Sequence, residues 1–553
     1  MATLMYTLLP LLLLSSVGTM CTTTIKLKDE SAPARKFTNP IGEGADPWVV
    51  RDVESRRFLW CKTDGDRAIV IHVSDKLTCM GGGSPHCVWT APDSGPASHQ
   101  VWAPELHKLD NGHWYIYFTA SPNPHSKGEV GHRIFVLKSQ TSDPLGEYDL
   151  FGPLETGNGP DGKSPNIWAI DLTTFQLHGK RYAVWSGWDV PTTRQFLYVA
   201  EMESPTKILG PRVQLCHNED YEWERIHSTS HGLNEAPQVF QSDTTTCIFY
   251  SCGVSCRVTY KLGMLQYHGG NPLDPQSWVK QSKPAFDGTE SVYGVGHSCL
   301  VQSMDGKEWW HIFHAKQDKE YGWRRAIHAQ QITLDHHGYP VLGQPIDKEI
   351  LLDRPSCETL EMTKLPISLP FDSVDRCPWT YYGHQQFMHW SDDGLHLGRI
   401  PVNPTNAFRS GEKLVLGAVC PNDLTAVATF KFVREYDGNA GILVRCTVPA
   451  VGYHALRGYY VGLDPMARAI LIGKMNGSRY TELGRREDVT INVMEFQQLA
   501  VTVTASRVDV FLNGDKQLSI NDSTYGSGSI GIRVCDTHAL FTKFEITEAT
   551  DWQ

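Results

Sequence analysis

The sequence predicts an all-β protein, a five-bladed β-propeller followed by a jelly-roll or laminin-G-like β-sandwich. Helical periodicity is nearly absent from the chain. One kind of unit recurs five times: an apolar strand opened by a polar residue, a tight turn, then an aromatic strand. The units open at Asp46 (ADPWVVRDVESRRFLW), Glu105 (PELHKLDNGHWYIYF), Asp171 (IDLTTFQLHGKRYAVW), Glu235 (EAPQVFQSDTTTCIFY) and His297 (GHSCLVQSMDGKEWWHIF). Their separations are 59, 66, 64 and 62 residues. A near-constant period with strand-turn-strand content marks a radial β-architecture. In such a fold the first strand of each blade lines the central channel, so equivalent positions converge at one mouth. Here they hold four carboxylates and an imidazole.

In chain order, the first element is a continuous apolar stretch from Tyr6 to Leu14, followed by Ser15, Ser16 and Gly18. It is too short to span a bilayer and fits a signal peptide over residues 1–20, which implies a secreted, extracellular protein. The propeller is expected over residues 30–353. Residues 354–369 read as a linker, with Pro355 and Pro366 and no clear period. From 370 to 549 short strand patterns recur with turns between them, among them TAVATFKFV, AGILVRC, GYYVGL, AILIGKM and GSIGIRV. That pattern is a β-sandwich signature.

At 553 residues the chain exceeds the usual limit of a single core, so two domains are natural. A net charge of −11 without charge runs argues against nucleic acid or an anionic membrane as partner and suits a neutral ligand. A monomer is expected. Fourteen cysteines in a secreted chain imply disulfides, with Cys79/Cys87 and the group Cys247, Cys252 and Cys256 as candidate staples. No Cys/His spacing matches a zinc site. Asn476 and Asn521 stand in glycosylation sequons, whereas Pro404 spoils the one at Asn403.

Cleavage of a glycosidic bond needs two carboxyl groups, one to protonate the leaving oxygen and one to activate water or attack the sugar. Asp46 and Glu235 open units one and four and so face each other across the channel. Asp171 opens the unit before Glu235, where its charge would raise the glutamate's pKa as a general acid requires. Each acid alone reads equally well as a turn or cap residue. Solvated acids, however, would not be expected to fall in phase with the repeat. Trp48, Trp102, Phe175 and Trp188 flank these motifs and are candidates for a sugar-stacking platform, though blade packing also needs tryptophans.

The motifs ADPWV (45–49), WAPEL (102–106), AIDLTTF (169–175), NEAPQVF (234–240) and GVGHS (294–298) together resemble glycoside hydrolase family 43 over roughly residues 37–350. The resemblance implies a five-bladed propeller that hydrolyses furanosides or pyranosides with inversion. It implies Asp46 as general base, Glu235 as general acid, and Asp171 as the residue that tunes and orients the acid. The family often has Gly after the acid, where this chain has Ala236. His297 matches a channel histidine that commonly helps to hold a hydrated calcium ion; no other cofactor is implied. Arg325, or its neighbour Arg324, is the candidate cation beside an active-site carboxylate, and Glu105 is read as a structural channel residue. In the sandwich, Trp379, Tyr381, Tyr382, Trp390, Tyr459 and Tyr460 are candidates for carbohydrate contact.

Two functions compete at this stage. One is an exo-acting α-L-arabinofuranosidase acting on plant cell-wall polysaccharide, with β-xylosidase and endo-arabinanase open beside it. The other is a catalytically silent carbohydrate-binding propeller, which would not be expected to keep all three acids. Five-bladed fructan hydrolases are set aside, because their N-D-P-N-G and R-D-P motifs are absent.

Overall fold

In the computed structural model the described residues are 33–81, 85–109, 111–122, 130–157, 166–189, 192–226, 231–371, 378–399, 409, 411–433 and 438–549. The expected signal peptide lies outside them. Five antiparallel sheets follow one another along the chain, each with its first strand innermost. The innermost strands are Trp48–Asp52, His99–Lys108, Ala169–Leu177, Asn234–Gln241 and Gly296–Gln302. Blades 1 to 4 are each built from four consecutive strands. In blade 5 the fourth place is taken by Gly42–Glu43, which pairs with Ala326 and Ile327. The N-terminal end thereby closes the ring.

The aromatic second strands follow from this geometry. A propeller blade is buried on both faces, so its strands read as near-continuous apolar runs rather than alternating ones. Trp114–Ser121 is buried at every position. Trp114, Ile116 and Phe118 pack into the core shared with Leu59 and Ile71 of blade 1. Tyr115 and Tyr117 face the opposite way, onto Trp185 and Tyr198 of blade 3.

One irregularity recurs in all five blades. A non-glycine residue with positive φ stands just before or within the first half of each innermost strand: Asp46 (51°), Ala103 (45°), Asp171 (54°), Ala236 (50°) and His297 (38°). In blades 2 to 5 it falls where the pairing register shifts, between Trp102 and Glu105, Ile170 and Thr173, Glu235 and Gln238, and Gly296 and Ser298. Such bulges re-aim side chains, and left-handed backbone costs a non-glycine residue about 1–2 kcal/mol. The structural repeat is thus Asp46, Ala103, Asp171, Ala236, His297. Glu105 lies two residues after its blade's bulge position and Glu235 one residue before, so the sequence phase holds to within two residues.

The second half of the chain forms two facing antiparallel sheets of eight and seven strands. Their inner faces share one core that includes Phe430, Phe541, Ile442, Ile532 and Val501. The expected carbohydrate contacts of this region are corrected. Trp379, Tyr381, Tyr382, Tyr459 and Tyr460 are buried, and Trp390 packs against the same core. Their hydroxyls are spent internally, as with Tyr460 on Asn439 at 2.7 Å.

The stretch between propeller and sandwich is packed, not solvated. Arg354 and Glu358 are buried, and Glu358 accepts from the Leu77 and Thr78 amides and from Thr78 Oγ1 at 2.9 Å. The two halves also meet directly, with Tyr381 N–H donating to Gly81 O at 3.0 Å and Val451 N–H to Pro40 O at 3.0 Å.

The disulfide expectation is corrected too, since the described cysteines are all thiols. Cys247 and Cys252 lie on one strand about 16 Å apart and point into different interblade cores. Cys79 is buried against Arg354, while Cys87 is exposed and turned toward Trp89 O.

Replacing Glu358 by Ala should leave two buried amides and a hydroxyl without their acceptor, a cost of about 1–3 kcal/mol. Thermal unfolding should show a lowered Tm; an unchanged Tm would show that this tether is not holding the halves together.

Candidate active site

The left-handed backbone at Asp46, Asp171 and His297 turns three polar side chains into the channel, and the bulge at Ala236 sets the course of Glu235 beside it. Asp46 is the wettest of the first three, with 26% of its side chain exposed. Its Oδ1 lies 3.1 Å from His297 Nδ1, 3.3 Å from Arg325 Nη1 and 3.4 Å from His314 Nδ1. His314 is not an ion-pair partner, because its Nδ1 accepts from the Asp46 N–H at 3.2 Å and burial pushes it down to about 4. Burial would raise the Asp46 carboxyl, but the charges of His297 and Arg325 and the hydrogen bond from His297 hold it well below the usual range. Asp46 is therefore ionised and reachable by water.

Glu235 is the opposite case. Its Oε1 accepts from the Tyr260 hydroxyl at 2.8 Å and its Oε2 from Gln195 Nε2 at 3.1 Å. Burial first, and then the charge of Asp171, push its carboxyl up to about 7. Asp171 is raised to about 6, mainly by burial, with Asp46 adding to it and His297 opposing. It accepts from the Ala236 N–H at 3.0 Å, a bond that runs from blade 3 to the residue after Glu235 on blade 4. The left-handed backbone of Ala236 aims that N–H at the carboxylate.

His297 is the central cation. Burial opposes its charge, but Asp46, Asp171 and Glu105 together raise it to about 9. A protonated imidazole facing a carboxylate through Nδ1 does not suit direct metal ligation. Among the described residues no group of three or more His, Cys, Asp or Glu is arranged to hold a metal. Glu105 is buried at the channel wall, with Oε2 3.2 Å from His107 Nε2; burial raises its carboxyl well above the usual range.

The structure brings Asp46, Asp171, Glu235, His297 and Arg325 together. Arg324 instead pairs with Asp318. Trp102 is half-buried, with one face stacked on His132 at 4.0 Å. The platform role of Phe175 is corrected: it is buried in the core between blades 3 and 4, stacked on Tyr182 and edge-on to Trp278. Trp48 packs between blade cores and gives its indole N–H to Leu106 O at 2.7 Å. Trp188 stacks on Trp168 at 4.7 Å. Sequence reasoning missed Tyr260, Gln195, His314 and Trp323. Trp323 is 60% exposed and lies under the Arg325 guanidinium at 5.4 Å. Its signal was present, as a tryptophan in the polar run Lys319–Arg325 has no core to enter.

The raised Glu235 carboxyl carries a stability signature. The native protein holds that proton more tightly than the unfolded chain, so this group's contribution is lost as pH rises from about 4.5 to about 7. Glu235→Gln, which cannot ionise, should therefore raise Tm at pH ~8 and leave it nearly unchanged at pH ~4. Equal Tm values at both pH values would contradict the raised carboxyl.

Residues 37–340 match the family model described as glycosyl hydrolases family 43, and residues 378–547 match a 3-keto-alpha-glucoside-1,2-lyase-like domain. An extracellular exo-alpha-(1->5)-L-arabinofuranosidase of Streptomyces chartreusis is 30% identical over 290 residues, covering 51% of this chain and 84% of that protein. Alpha-L-arabinofuranosidase 43 of Humicola insolens is 27% identical, covering 57% of this chain and 65% of that protein. The crystal structure of an alpha-L-arabinofuranosidase from Lactobacillus brevis superposes with a TM-score of 0.51 at 27% identity, covering 56% of this chain and 98% of that one. The family match spans more than half of this chain: it belongs to glycosyl hydrolases family 43 and is a glycoside hydrolase.

Proposed function

We propose that the protein is a secreted, inverting, exo-acting α-L-arabinofuranosidase that removes terminal arabinose from plant polysaccharide or oligosaccharide. The observation that carries the reading is the contrast between two carboxyls in one channel, an ionised and wet Asp46 and a Glu235 raised to about 7. The relatives' names support arabinose as the sugar, and the Tyr6–Leu14 stretch together with the "extracellular" relatives supports secretion.

In this mechanism Asp46 takes a proton from water as the water oxygen attacks the anomeric carbon. Glu235 gives its proton to the departing glycosidic oxygen as the C–O bond breaks. His297 and Arg325 keep Asp46 ionised between turnovers. Asp171 keeps Glu235 protonated at working pH, and orients it through the Ala236 amide. The active form carries one proton on the Asp171–Glu235 pair. kcat/KM on an arabino-oligosaccharide should therefore peak between about 6 and about 7, falling on the alkaline side as that proton leaves.

The test is hydrolysis of aryl α-L-arabinofuranoside beside aryl β-D-xyloside, with arabino-oligosaccharide in parallel, by wild type and Glu235→Ala. Arabinoside turnover is expected, with oligosaccharide cleavage reduced about 10²–10⁴-fold in the variant. Preference for the xyloside would replace the sugar assignment, and a folded wild type without turnover on any substrate would favour a binding protein. Proton NMR of the first product should show the β-anomer; the α-anomer would exclude inversion.

A further inference from the structure

The acid's two oxygens are not equivalent, and the difference comes from a residue outside the three acids. Tyr260 is fully buried and lies just before the third strand of blade 4, Lys261–Tyr267. Its hydroxyl donates to Glu235 Oε1 at 2.8 Å. Its ring lies flat on His314, 5.5 Å between centroids and 10° between planes. His314 in turn accepts the Asp46 N–H. One aromatic pair therefore spans from the acid to the base.

The Tyr260 hydroxyl points its proton at Oε1, and Ser251 Oγ, which accepts the His297 N–H at 2.8 Å, stands beside the phenol and favours its ionised form. Gly296 makes room for the whole arrangement. A Cβ there would lie 2.4 Å from a Tyr260 ring carbon and 3.1 Å from Ser251 Oγ. This gives the glycine of the GHS motif a physical reason.

Resting on the reading of Glu235 as general acid, we propose that Tyr260 is a positioning residue that reserves Oε1 as an acceptor, so that the transferable proton stands on Oε2. Oε2 accepts from Gln195 Nε2 and remains free to donate forward to the leaving oxygen. The phenol does not itself transfer a proton, since burial, and then the charge of Glu235, push its ionisation well above the usual range. The other charged groups acting on the acid are Asp171, Asp46 and His297.

The experiment compares wild type, Tyr260→Phe and Ser251→Ala. Without the phenol donor, ionised Glu235 loses a hydrogen bond, and the alkaline limb of kcat/KM should move up by about one pH unit. With the proton no longer confined to Oε2, kcat on arabinotriose should fall at least about tenfold. An aryl arabinofuranoside, whose leaving group needs little protonation, should be nearly unaffected. Ser251→Ala keeps the ring and should move both readouts the same way by less. Equal losses on both substrates with an unmoved pH profile would assign Tyr260 to packing alone and overturn the proposal. A substrate-free check is the Glu235 titration followed by carbon NMR of 13C-glutamate protein, assigned with Glu235→Gln. Its midpoint should rise in Tyr260→Phe, and an unchanged midpoint also overturns the proposal. If instead Glu235→Ala cleaves arabinotriose like wild type, the acid assignment itself fails, whatever Tyr260 does.

Discussion

Everything at this site depends on a single break in backbone regularity, repeated five times. A strand that stayed in register would alternate its side chains between the two interblade cores and offer the channel only backbone. The left-handed residues at Asp46, Asp171, Ala236 and His297 interrupt that alternation. They turn carboxylates and an imidazole inward, and at Ala236 they aim an amide at Asp171. The cost of a few kcal/mol of strain is borne by blade faces packed on both sides.

Once those groups share a channel, electrostatics divides their labour. Four carboxylates in one cavity cannot all ionise cheaply. Asp46 ionises because His297 and Arg325 lie against it. Glu235 lacks such a cation, is half-buried and has Asp171 as neighbour, so it keeps its proton nearly to neutrality. An ionised and a protonated carboxyl thus emerge from the same side-chain chemistry by position alone.

The five blades were legible because an inner-strand, turn and aromatic-strand pattern survives in any residue-by-residue reading. The site acids were legible through their near-constant spacing. The offsets at Glu105 and Glu235 were not, because a bulge adds a residue without a sequence mark. Phe175 misled because it lies only four residues from Asp171; on a strand that distance runs about 13 Å down the channel wall, into the core. The sandwich aromatics misled for a related reason, since aromatic runs on doubly covered strands look like exposed platforms until the facing sheet is known. Gln195 opens a third strand and Tyr260 stands just before one, where no motif marks which side chains reach the channel.

The central claim is that one proton is shared by Asp171 and Glu235 and that the charge of Asp171 keeps it on the acid. The most direct measurement is the pH dependence of kcat/KM for Asp171→Asn on arabino-oligosaccharide. The asparagine keeps an oxygen for the Ala236 amide and removes only the charge. The account predicts that the alkaline limb moves to lower pH, because the acid loses the neighbour that opposed its ionisation. An alkaline limb that stays in place would contradict it.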